Sequence, residues 1–464
     1  ELGITAVELM PSYEFLELEK QERQERSMDE ARNHYMDLPE EKDKPPRINY
    51  WGYKRGYYFA PKMSYSASDC PAEEFKDMVK NAHQNGIEVI MQFYFPADVK
   101  RAYILEVIKY WVFTFHVDGF HLLGMHMPTA LLATEPMLGN TKLFYEDIPC
   151  GEIYDNNDIP VYKNLAVYND DFMYAARHFL KSDEGSLQPM LDLWKKNPKQ
   201  TGVINYITNY SGFTLADLVS FDRKHNEANG EENRDGETYN VSWNCGAEGK
   251  TRKKSILELR LKQMKNAMLL LLTAQGTPMI VSGDEFGFSH GGNNNPYCQD
   301  NAVNWLNWKL METNREIFSF VKEAVAFRKK HPVLHRPDEL TMMDYIACGY
   351  PDLSLHGEEA WKLNADGLSR QAGLMYCGCY AKVDKKNNDN FIYIAYNMHW
   401  EEHDFALPAL PPDLKWAKVL DSVSDRQEEG ENGRTAAVAG RSIQIFESRE
   451  KTGKEKQKAG QKKK

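Results

Sequence analysis

At 464 residues, with a net charge of −11, 42% hydrophobic and 12% aromatic residues, the chain has the composition of a globular protein holding one large domain and a smaller one. The acidic balance argues against nucleic acid as the main partner, and no apolar run reaches the roughly 18 to 20 residues of a membrane helix. Seven cysteines without tight regular spacing read as reduced thiols of a cytoplasmic protein, and no cofactor or metal is called for.

The chain opens in an apolar strand, ELGITAVELMP, and passes into a charged, helix-permissive insertion that ends at Pro45-Pro46 and reads as a solvated loop. Aromatic residues follow in NYWGY, ending at Tyr53, and in YYFAP, beginning at Tyr57, as packing in a core would require. Residues 72–85 place Phe75, Met78, Val79 and Ala82 on one helical face, with Gly86 as the stop. The run Ile87 to Phe95 is apolar but for one polar break at Gln92, as a strand inside a parallel sheet requires. After a helix from Ala102 to Phe115 comes VDGFHLLG, in which alternation puts His121 and Leu123 on one face and Asp118 on the other.

TKLFYEDI, residues 141–148, is the next strand, and Tyr168 to Phe172 leads into a helix ending at Leu180. The stretch Ile204 to Gly246 begins as a β-branched and aromatic run, turns at Ser211-Gly212, enters a helix-like LADLVSF and then a loop crowded with Asn, Asp, Glu and Gly. A long polar loop after a strand is where a parallel barrel keeps its functional side chains. A helix from Ile256 to Thr273 precedes GTPMIVSGDE. Beyond Pro332 the pattern changes to short alternating strands, GLMYCGCYA, FIYIAYNMHW and SIQIFES, with Cys377 and Cys379 on the first of them pointing the same way. A basic tail closes the chain from Arg449.

INYITNYSGFTLADLVSF with KHNEANGEENRDG, VDGFHLLG, GTPMIVSGDE and GGNNNPYCQDNAVNWLNW together resemble the isoamylase-type glycogen debranching enzymes of glycoside hydrolase family 13, over nearly all of residues 1–448. The resemblance implies an α/β fold: a (β/α)8 TIM barrel over 1–335 and a C-terminal antiparallel β-sandwich over 336–448, with a Lys-rich tail at 449–464. ITAVELMP matches the second barrel strand, so the first strand and an N-terminal β-domain are expected to be missing from this chain. The implied partner is an α-glucan (glycogen, starch or a maltooligosaccharide), with Tyr53, Tyr57 and Tyr210 against the sugar, and no membrane, nucleic acid, cofactor or metal.

At the matching catalytic positions the chain departs from the family. Leu123 stands at the nucleophilic aspartate, His121 at the arginine beside it, Tyr210 and Ser211 at the histidine and aspartate after the seventh strand, and Gln92 at an aspartate of the third. Glu146 falls on the general acid, with Asp147 a one-residue alternative. The family's long excursion after the third strand is also nearly gone. Retaining hydrolysis needs two carboxyl groups about 5 to 5.5 Å apart, and leucine cannot form a glycosyl ester. The expectation is therefore a catalytically degenerate homologue, a pseudoenzyme acting by α-glucan binding or by partnering an active debranching enzyme. Two alternatives stay open. One is an active hydrolase of α-1,6 branches, using Glu146 with a second carboxylate such as Asp98 or Asp147, or other chemistry with Glu146 and His121. The other is an inert scaffold. Gly119, Leu123, Glu146, Tyr210 and Ser211 are expected to meet at one barrel mouth.

Overall fold

The structure, a computed structural model, describes residues 2–18, 47–155, 158–423 and 435–451. Most of the charged insertion, at 19–46, and the basic tail from 452 lie outside the described residues.

The apolar runs form β1 (Ala6–Leu9), a two-stranded antiparallel pair β2 (Tyr13–Phe15) and β3 (Gly56–Pro61), then β4 (Glu88–Tyr94), β5 (Gly119–Leu123), β6 (Lys142–Tyr145), β7 (Leu165–Tyr168), β8 (Gly202–Asn205) and β9 (Thr277–Pro278). β1 and β4 to β9 make one seven-stranded sheet in chain order, with parallel ladders β1–β4, β4–β5, β7–β8 and β8–β9. Helices Pro71–Gln84, Arg101–Phe115, Asp170–Lys181 and Lys254–Leu272 fall between these strands, the strand-then-helix alternation of a (β/α) barrel. Contacts divide the chain into two compact units: Thr5–Leu143 with Pro296–Asn301, and Glu1–Ile4, Phe144–Asn295 with Ala302–Lys464.

In the first unit, β4 is buried from Val89 to Phe93, and its two faces do different work. Val89, Met91 and Phe93 share the face that helices cover: the Phe93 and Trp111 rings are 5.7 Å apart, and Phe75 reaches Trp111 at 5.2 Å. Burying Trp111 and Phe93 completely contributes roughly 1.5 to 3 kcal/mol each. β5 gives way to Gly124, where φ is +122° and a Cβ would lie 2.2 Å from the Phe95 carbonyl oxygen, so only glycine fits.

In the second unit the chain beyond residue 350 forms β10 (Leu353–His356), β11 (Gln371–Tyr376), β12 (Ile392–Asn397), β13 (His403–Ala406), β14 (Leu414–Asp421), β15 (Thr435–Val438) and β16 (Ser442–Glu450). Five of them make an antiparallel sheet, β10-β11-β12-β16-β14, and β13 pairs with β15. Both faces of the larger sheet are apolar. Leu374, Tyr376, Ile394, Tyr396 and Ile445 join the core of the helices Asp170–Lys181, Lys254–Leu272 and Arg315–Lys330, where Trp194 stacks on Tyr396 at 4.3 Å. Met375, Tyr393, Ala395 and Phe446 pack instead with Phe405 of β13 and Val438 of β15, giving a lopsided sandwich.

One expectation is corrected here. Cys377 and Cys379 are not on a strand, because β11 stops at Tyr376 and Cys379 lies in the 3-10 turn Gly378–Tyr380. At Gly378 a Cβ would sit 2.0 Å from the Asp389 carbonyl oxygen, so two backbones touch there and the ladder cannot continue. All seven cysteines are free thiols. Among the described residues, no helix is long and apolar enough to cross a membrane.

Candidate functional site

The second face of β1, β4 and β5 carries the polar residues. Register pairs Glu8 with Ile90, Ile90 with Gly119, Gln92 with His121 and Tyr94 with Leu123, so Glu8, Gln92, His121 and Leu123 all project from one side of the sheet. Glu8 Oε1 accepts a hydrogen bond from Gln92 Nε2 at 2.7 Å and lies 2.8 Å from His121 Nδ1. The Tyr53 hydroxyl donates to Gln92 Oε1, and its ring meets Trp51 edge-on. Gln92 and His121 are buried, so the bonds offset a desolvation cost of about 1 to 3 kcal/mol for each polar group. Leu123 stands at the C-terminal end of β5 with its side chain partly exposed.

The other residues singled out in this unit are more exposed. Tyr57 is 60% exposed on β3. Asp98, offered as a second carboxylate, is exposed and ion-paired with Arg55. Asp118 accepts from the Val89 amide at 2.7 Å and faces His83 Nε2 at 2.8 Å, a bracing role at the start of β5.

In the second unit, Glu146 and Asp147 follow β6 directly and are exposed. After β8 the chain turns through Asn209, whose Oδ1 accepts the Ser211 amide at 3.0 Å; Ser211 is exposed and Tyr210 partly buried. The Asn-rich loop is held by buried amides. Asn294 Nδ2 donates to the Glu237 carbonyl at 2.7 Å, its Oδ1 accepts from Asn226 Nδ2 at 2.8 Å, and its own carbonyl accepts the Gly212 amide at 3.1 Å. Asn229 Nδ2 reaches Asp235 Oδ2 at 2.8 Å and the Asn295 carbonyl at 2.9 Å. These bonds give the loop after β8 a fixed shape.

Two buried carboxyls brace the same loop from below. Burial raises the Asp284 carboxyl to about 7, against the lowering effect of its bonds from the Thr208 hydroxyl and the Leu215 amide. Burial likewise raises Asp217 to about 6, although Ser289 Oγ at 2.5 Å and the His290 amide at 2.8 Å both donate to it. A small pocket beside Asp284, with room for about one water molecule, is lined by Ile207, Leu215, Met268 and Met279. Its polar side chains, Thr208 and Asp284, are bonded to each other, so it is a poor match for a ring of sugar hydroxyls.

The structure thus brings Gln92, His121, Leu123 and Tyr53 together in one unit and places Glu146, Tyr210 and Ser211 in the other. Sequence reading missed Glu8. The signal was present, since a glutamate inside the apolar run ITAVELM is costly to bury unless it has partners.

No protein-family model matches the chain. Among curated proteins, the Glycogen operon protein GlgX homologue of Mycobacterium tuberculosis is 32% identical over 91% of this chain and 66% of its own length. The Haemophilus influenzae GlgX homologue is 34% identical over 71% of this chain and 57% of its own length. Isoamylase 1, chloroplastic, of Oryza sativa subsp. japonica is 28% identical over 91% of this chain and 59% of its own length. The chain therefore spans about three fifths to two thirds of these relatives. Of solved structures, type I pullulanase from Bacillus subtilis complexed with maltose superposes with a TM-score of 0.65 at 19% identity, covering 96% of this chain and 63% of that one. The catalytic module of the pneumococcal glycogen-degrading factor SpuA gives 0.66 at 15% identity, over 96% of this chain and 72% of that one. At such identities the likeness shows the fold: a (β/α) barrel with an antiparallel C-terminal sheet domain.

Proposed function

With the chain homologous to the isoamylase and GlgX debranching proteins, we propose that it is a debranching-type homologue of α-glucan metabolism that binds glucan without cleaving it. The division into a barrel at 1–335 and a β-sandwich at 336–448, and a cytoplasmic setting beside an active debranching enzyme, belong to the same proposal. The observation that carries it is Leu123 at the end of β5. The carboxylate nearest to that position in its network, Glu8, is held by Gln92 and His121. Register also sets Glu8 level with Gly119, four residues or about 13 Å below Leu123 along the strand. Glu8 thus does not stand in for a nucleophile, and Glu146 alone completes no retaining pair. Loss of a nucleophile costs about 10⁴ to 10⁶ in rate.

Aromatic rings at Tyr53, Tyr57 and Tyr210 supply sugar-stacking surface. In native electrophoresis through glycogen the intact chain is expected to be retarded, and alanine at those positions to weaken the retardation. A mobility indifferent to glycogen would favour an inert scaffold. Release of reducing ends from branched glucan would favour an active hydrolase.

A further inference from the structure

The C-terminal region gathers three thiols that are far apart in the sequence. Cys377 follows β11, Cys379 lies in the next turn, and Cys348 arrives on the loop before β10. Their sulfur atoms all lie within 4.8 Å of one another, with Cys348 Sγ 3.9 Å from Cys377 Sγ. Carboxylates fix the loop that delivers Cys348: Asp344 accepts the Cys348 and Gly349 amides at 3.0 and 2.8 Å, and Asp352 accepts the Thr341 and Met342 amides at 2.9 and 2.7 Å. The Cys377 amide is tied to the Asp352 carbonyl at 3.1 Å. The backbone therefore holds the cluster together. Cys377 is buried and the other two are partly buried, packed against Tyr350, Tyr380, Phe391 and Leu410.

We propose that Cys348, Cys377 and Cys379 form a three-thiolate site for a soft d¹⁰ cation, taking Cu(I) in preference to Zn(II). Three ligands in a plane with metal–sulfur bonds of about 2.3 Å hold their sulfurs about 4 Å apart, the spacing already present between Cys348 and Cys377. Thiolate sulfur selects such ions. Three sulfurs alone suit three-coordinate Cu(I), whereas Zn(II) usually takes four ligands and would have to recruit the Asp344 carboxylate beside Cys348 or a water. Each sulfur binds as thiolate, so uptake sends the thiol protons to solvent. A single disulfide would leave one of the three sulfurs over, whereas an ion uses all of them. This site stands independently of glucan binding.

The test titrates the reduced full chain anaerobically with Cu(I) against a chromophoric copper chelator, and in parallel with Zn(II) against a zinc chelator. One Cu(I) per chain is expected, with a sulfur-to-copper charge-transfer band in the ultraviolet and proton release in weak buffer. Cys348→Ser and Cys379→Ser, checked for folding by circular dichroism, should each lose at least about tenfold in affinity. Cys70→Ser and Cys150→Ser should bind as the parent does. No uptake, uptake indifferent to the first two variants, or Zn(II) held more tightly than Cu(I) would overturn the assignment.

Discussion

Two polar regions of this molecule are built differently. In the loop after β8, buried asparagine amides bond to one another and also to backbone: Asn294 to the Glu237 carbonyl, Asn229 to the Asn295 carbonyl, and Asn226 to the Asp235 carbonyl at 2.9 Å. On the face of β4 and β5, side chains bond to one another, from Tyr53 through Gln92 and Glu8 to His121. The first arrangement dictates the path of the chain, so exchanging one of its residues deforms a loop. The second sits on strands whose backbone is held by the ladder and by the opposite apolar face, so its side chains can change while the fold persists. The proposed function rests on this difference: the frame of the site persists while its side chains change.

The contrast is sharpest in stability. Asn294→Ala should remove three bonds of its side chain, to the Glu237 carbonyl, the Asn226 amide and Asn240 Oδ1, and cost about 2 to 4 kcal/mol in denaturant unfolding. A cost under about 0.5 kcal/mol would show that the loop is shaped by something else. Tyr53→Phe, which leaves Gln92 Oε1 short of one donor, should cost about 1 to 2 kcal/mol, whereas Tyr57→Phe on the exposed side of β3 should be nearly neutral. Equal effects from the two would erase the distinction between network and surface.

A further effect is one of slope. Asp284 has a folded-state value raised to about 7 from an ordinary carboxyl value of 3.8, so the folded chain holds a proton that the unfolded chain releases. Its contribution to stability is therefore lost as pH rises between about 4 and 7. Asp284→Asn lacks that titration, so its stability relative to the parent should climb over this interval and level off above it. A flat difference across the interval would mean that the buried carboxyl titrates normally.

How far these regions were legible from sequence follows from their physics. The uninterrupted run IEVIMQFYF and the period-two strands beyond residue 350 announce burial on two faces, and the structure has both. GLMYCGCYA reads as one strand because no charged residue or proline interrupts it. What cuts it at Tyr376 is a backbone contact at Gly378 with Asp389, which no local pattern encodes. Cys348 lies 29 residues before Cys377, so the thiol cluster exists only once the fold is known. Glu8 was visible as a misplaced charge, but its partners Gln92 and His121 are 84 and 113 residues away.

The central claim is that the frame holds glucan while the strand ends no longer cut it. Hydrolysis of α-glucosyl fluoride, an activated substrate, measures this most directly. The parent should release no fluoride above background. The combination Leu123→Asp, His121→Arg, Tyr210→His and Ser211→Asp should release a small but measurable amount, since the arginine keeps the new carboxylate ionised while positioning stays poor. Fluoride release by the parent at an ordinary enzymatic rate, abolished by Glu146→Gln, would contradict the account and show that Glu146 works with a carboxylate partner in the intact chain.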